Sequence, residues 1–136
     1  VLRRAETPVL VVHRAGPRMT HLAVGVDGSS ASRRAVRLLA RAVVPKGGTI
    51  TLVTVLPSQL FPSHPLLPGL TAELRAEALA RGARERARAD RIQKRSAASL
   101  REAGWRVREQ VRTGAPLYEL LRSVYETRAE GLVIGA

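Results

Sequence analysis

Residues 22–26 form an apolar run, and Asp27, Gly28 and Ser29 follow at once, just ahead of an amphipathic stretch. An acid at such a junction has two uses. Its carboxylate can accept hydrogen bonds from the hydroxyls or amine of a bound ligand, or it can cap the helix that follows. Gly25 and Gly28 permit close approach of a ligand to the backbone, and Gly28 serves equally well as a plain turn residue. Ser29 divides in the same way between helix cap and ligand contact. Val55 lies near the end of another apolar run and reads as core, and Val26, Ile134 and Gly135 stand at the ends of further apolar runs. Catalytic chemistry finds no footing here. No paired carboxylates and no nucleophile–base set can be assembled from the pattern. His13, His21 and His64 lack the spacing of a metal site, and the absence of cysteine excludes disulfides and thiolate metal ligation. The expected behaviour is that of a binding domain with no required cofactor, and no enzyme.

Five β-type runs must hold these residues in place: 8–12, 22–26, 49–56, 105–112 and 132–134. Three are nearly continuous in apolar residues, as expected for strands of a parallel sheet covered on both faces. In the run from Trp105, apolar Trp105, Val107 and Val111 alternate with Arg106, Arg108, Gln110 and Arg112, which predicts an edge strand with one wet face. Ser29 or Ser30 can cap a first helix whose stripe is Ala31, Ala35, Leu38, Leu39 and Ala42, stopped by Pro45 and the glycines 47 and 48. Another helix opens at Pro116 and carries Leu117, Leu120, Leu121, Val124 and Tyr125 at helical spacing. Residues 57–69 hold four prolines and predict a loop. From Thr71 to about Ala103 a long helix is expected; its first half, poor in large apolar residues, should project, and its second half should pack. Strands alternating with helices mean βαβ units, a parallel sheet, and a ligand site beyond the carboxyl ends of the strands.

At 136 residues, 45% of them hydrophobic, the chain is one domain able to build its own core. No apolar run approaches the roughly 18 residues of a membrane span, so the cytoplasm is the expected compartment and no membrane partner is expected. The net charge of +12 comes almost wholly from arginine, since Lys46 and Lys94 are the sole lysines. Such a balance points to acidic partners or to a solvated arginine-rich surface. Residues 75–95 concentrate it, with eight basic and three acidic side chains, but the four aromatics are scattered and form no stacking platform for a single strand. Nucleic acid is therefore the least favoured partner.

The stretch 22–32, with its Asp27-Gly28-Ser29, resembles the opening of a universal stress protein domain. The resemblance continues through residues 52–55, through Gly104-Trp105-Arg106-Val107 leading to Gly114-Ala115-Pro116, and through residues 131–135, and so covers nearly all of 21–136 in order and spacing. It implies an α/β, Rossmann-like three-layer sandwich with a parallel sheet in the order 3-2-1-4-5, counted from the strand at 22–26. It also implies dimerisation, stress-response regulation and binding of ATP or AMP. The adenosine part would then be held by Gly25, Val26, Asp27, Gly28, Ser29, Val55, Ile134 and Gly135, with the Asp27 carboxylate on ribose hydroxyls or the adenine amine and Val55 as a wall for the base. Nucleotide-binding relatives continue the fourth strand into a loop of pattern G-x2-G-x9-G-[ST]. Gly135 matches its first glycine and the rest has no counterpart in these residues, which implies impaired phosphate binding.

Residues 1–12 resemble the closing segment of the same family, so the expected organisation is a terminal strand and linker over 1–20 and a stress-protein domain over 21–136 that stops after its fourth strand. The leading strand can fill the vacant fifth position beside residues 132–134, running parallel to them, or it can pair with a neighbouring chain. Function follows the same division: an adenine-nucleotide-binding or regulatory domain acting as a homodimer or with a tandem partner domain, or a dimerisation module that binds no ligand.

Overall fold

The computed structural model describes residues 8–12, 19–58 and 71–135. Its elements in chain order are β1 (Val9–Val12), β2 (His21–Gly25), α1 (Ser30–Arg41), β3 (Thr49–Leu56), α2 (Ala72–Glu102), β4 (Arg106–Thr113), α3 (Pro116–Thr127) and β5 (Gly131–Ile134). The five strands form one sheet in the order β1-β5-β2-β3-β4. Read from β4, this is the order that the family resemblance implies.

Parallel pairing joins β5 to β2, β2 to β3 and β3 to β4. The alternation of side chains then divides the core into two layers. Leu22, Val24, Val26, Ile50 and Leu52 face α1 and α2, where they meet Ala35, Val36, Leu39, Ala97 and Leu100. Ala23 and Leu132 face the other way, under Val124 of α3 and Ala129. β4 takes the outer edge, as its alternation predicts. Trp105 lies one residue ahead of it, buried, and its indole N–H donates to the Leu39 carbonyl at 3.1 Å.

Local chemistry sets the helix ends. The Ser29 side chain accepts from the Ser32 amide at 3.1 Å and caps α1. Thr71 caps α2 in the same way, and Pro116 occupies the first turn of α3. The two halves of α2 differ as expected. Its buried residues are Gly82, Ala89, Gln93, Ala97 and Leu100, whereas nearly every residue from 72 to 81 is exposed.

One expectation fails. β1 does occupy the fifth position, but it runs antiparallel to β5, with Val9 opposite Ile134 and Val12 opposite Gly131. The reason is closure. Gly131 also lies opposite Leu22, at the start of β2. An antiparallel β1 therefore ends at the same edge of the sheet where β2 begins, two strand spacings of roughly 4.8 Å away. A parallel β1 would end at the opposite edge and force the following residues to run back along a whole strand.

Candidate functional site

β2 hands the chain through α1 to β3 on one side, while β5 arrives on its other side from α3. Between β2 and β5 the direction of winding therefore reverses, and a crevice opens beyond the strand tips. A cavity of about 290 Å³ occupies it. Volumes of roughly 300 Å³ mark the lower end of small-molecule pockets, enough for a compact planar ligand and little more.

The cavity floor is apolar. Val53 and Val55 come from β3, Leu120 from α3 and Ile134 from the end of β5. Gly25 makes the room: a Cβ there would lie 3.2 Å from a Leu120 methyl and 3.4 Å from an Ile134 methyl. The tip of β2 is locked beside it. Val26 donates its amide to the Val53 carbonyl at 2.9 Å, and the Thr54 hydroxyl donates to the Val26 carbonyl at 2.8 Å. Thr54 in turn accepts from the buried Gln93 amide at 2.8 Å, which ties α2 to the same tip.

The rim is polar. Asp27 is exposed at the mouth, and its Oδ1 accepts from the Ser29 amide at 2.8 Å, an Asx turn that leads the chain into α1. Burial pushes the Asp27 carboxyl toward neutrality, but hydrogen bonds from the Ser29 hydroxyl and amide and from Ser32 outweigh it and hold the group below its ordinary value. It is a carboxylate at neutral pH. Of the two roles open to Asp27, capping therefore belongs to Ser29, and the acid shapes the turn while facing the cavity.

Gly25, Val26, Asp27, Ser29, Val55, Ile134 and Gly135 all line this cavity. Gly28 does not. Its φ is +78°, and a Cβ on it would meet Ile92 of α2 at 2.7 Å, so it serves the turn and the α2 contact. The structure adds Ser32, Val53, Pro116 and Leu120 to the lining. Ser32 stands three residues beyond the cap and so shares its helix face, and Leu120 stands one turn beyond Pro116; these spacings were the available signal. A second cavity of about 230 Å³ shares Asp27 and Val55 and opens toward Glu85, Arg88 and Ile92 of α2.

His21 lies at the far end of β2, with Nε2 2.9 Å from the Thr51 hydroxyl, and His13 and His64 fall outside the described residues. Among the described residues no cluster of His, Cys, Asp and Glu could hold a metal, and no helix is long and apolar enough to cross a membrane.

Solved structures share this architecture. A universal stress protein family member from Burkholderia pseudomallei superposes with a TM-score of 0.63 at 18% identity, over 90% of this chain and 85% of that one. A family protein from Arabidopsis thaliana with AMP bound gives 0.57 at 18%, over 86% and 76%. A universal stress protein in complex with cAMP gives 0.57 at 25% identity, over 85% and 75%. No curated protein sequence matches the chain. Residues 19–136 match the profile of the universal stress protein family, so the chain belongs to that family.

Proposed function

We propose that this chain is a universal-stress-type domain that binds the adenosine part of an adenine nucleotide and acts as a regulatory binding domain, without catalysis of its own. The observation that carries the reading is the cavity between β2 and β5, with an apolar slot of Val53, Val55, Leu120 and Ile134 behind an ionised Asp27. An apolar slot suits a purine face, and a carboxylate at its mouth suits ribose hydroxyls or an exocyclic amine. The relatives with AMP and cAMP bound support the choice of ligand.

Phosphate binding is the weak part of this reading. Among the described residues the cavity lining holds no cationic side chain. The α1 amides that would greet an anion are partly engaged: that of Ser29 by Asp27 and that of Ser32 by the Ser29 hydroxyl. Each missing hydrogen bond to a charged oxygen forgoes about 1.5–3 kcal/mol. Adenosine, AMP and ATP should therefore bind with similar, modest affinity. Calorimetry with all three is the test. No heat from any of them would remove the nucleotide reading, and ATP binding more than tenfold tighter than adenosine would remove the phosphate part.

A second reading has its own observation. Leu10, Val11 and Val12 on the edge strand β1, and Leu117, Tyr118, Leu121 and Tyr125 on α3, are exposed. Surfaces of this kind support a dimerisation module, as a homodimer or with a tandem partner domain. Light scattering across a concentration series separates monomer from dimer, and a dimer that takes up no adenosine would favour this reading alone.

A further inference from the structure

The arginine excess is not spread evenly. α1 carries four arginines and no acidic residue, and α2 carries nine basic residues against five acidic ones. On the opposite face of the sheet, α3 carries one against two, and β4 adds Arg106, Arg108 and Arg112, the last paired with Glu119 and Glu126. Both faces carry arginines, but the excess over acidic residues is largest on the face of α1 and α2.

That surface has a geometry. Arg84, Arg88, Arg91 and Arg95 recur at intervals of four, three and four residues and are all exposed, which places them in one row along the outside of α2. The residues that face the core, Ala89, Gln93, Ala97 and Leu100, fall on a different stripe. At 1.5 Å per residue the row is roughly 16 Å long. Arg33, Arg37 and Arg41 make a second exposed row on α1, which packs against α2. Among the described residues Arg37, Arg41, Arg84, Arg91 and Arg95 form no ion pair, whereas Arg81, Arg86, Arg88 and Arg101 do.

We propose that the outward face of α1 and α2 binds the phosphate backbone of duplex DNA without reading its sequence. The guanidinium is the side chain best matched to phosphate oxygens. A helix face of this kind fits the B-form major groove, whose width of roughly 12 Å admits an α-helix. The deep, narrow major groove of A-form RNA admits no helix. A single strand is disfavoured because, among the described residues, the exposed aromatics, Tyr118 and Tyr125, sit on α3 across the sheet and Trp105 is buried. An anionic membrane is disfavoured because residues between 84 and 95 supply no large apolar side chain except Ile92, which packs in the core. Arg88 of this row also lines the second cavity beside Asp27 and Val55, but the inference does not depend on adenosine binding.

The test is fluorescence anisotropy of a labelled duplex DNA of arbitrary sequence, titrated with the full chain between about 50 and 200 mM salt. The logarithm of the binding constant should fall steeply against the logarithm of salt. In the triple variant Arg84→Gln, Arg91→Gln, Arg95→Gln, and in the double variant Arg37→Gln, Arg41→Gln, the slope should become shallower by about 0.9 for each phosphate no longer neutralised. Arg106→Gln, at the exposed start of β4, should change nothing. Absence of binding at the lowest salt, a flat salt response, an equal loss with Arg106→Gln, equal or tighter binding to duplex RNA, or preference for phosphatidylserine vesicles would each overturn the proposal.

Discussion

Gly135 at the end of β5 lies flat against Ser32 in the first turn of α1. A Cβ on Gly135 would fall inside the backbone of Ala31 and Ser32, so only glycine allows β5 to close on the helix that frames the cavity. The obstacle is backbone, which cannot rotate away as a side chain can. Gly135→Ala should therefore destabilise the protein by about 1–3 kcal/mol, read from denaturant midpoints, and should weaken adenosine binding with it. Unchanged stability would show that β5 and α1 do not touch in this way.

Asp27 and Ser29 share one turn but should separate by experiment. Ser29 caps α1, so Ser29→Ala should cost about 1 kcal/mol of stability. Asp27→Asn keeps the side-chain oxygen that accepts from the Ser29 amide and removes the charge at the cavity mouth. It should lower the melting temperature only by the small stabilisation that the ionised group contributes, and lower adenosine affinity roughly tenfold or more, corresponding to about 1.5–3 kcal/mol for one charge-assisted hydrogen bond. A large stability loss with intact binding would assign Asp27 to the turn alone.

Gly25 leaves the space that Leu120 and Ile134 border. Gly25→Val should push those flexible side chains into the cavity and abolish uptake of adenosine, while β2, whose strand geometry favours valine, stays folded by circular dichroism. Retained binding in this variant would move the ligand elsewhere.

Stability should fall in two stages as the pH drops. Burial and the neighbouring Arg108 hold His21 below its ordinary value of 6.5, so the unfolded chain takes up this proton first. Stability associated with His21 is full above about 6.5 and is lost as the pH falls from there toward the folded value. Asp27 and Glu130 are also held low, Glu130 mainly by accepting from the His21 and Thr20 amides, and their stabilisation is lost as the pH falls through and below 4.5 and 3.8. Melting temperature against pH should show both stages, and His21→Gln should erase the upper one. A curve with that upper stage intact in the variant would reject the assignment.

Much of the fold was legible because hydrophobic periodicity is a local signal. The apolar runs at 22–26 and 49–56, the alternation after Trp105 and the first half of α2, poor in large apolar residues, each report how many faces of an element meet other chain, and the structure places each accordingly. The cavity lining was legible where it sits at strand tips, at Gly25, Asp27, Val55 and Gly135.

What the sequence could not decide were the relations that depend on chain closure. Four apolar residues in a row carry no direction, so Val9–Val12 reads the same parallel or antiparallel; the short path from Val12 to the start of β2 settled it. Gly28 sits in the same motif as Asp27, yet the φ of +78° turns it toward Ile92 of α2 and away from the cavity. Leu120 joins the site only because α3 crosses back over the tip of β2. Types and periods are written along the chain, whereas contacts between elements separated by a hundred residues arise only when the whole sheet has closed.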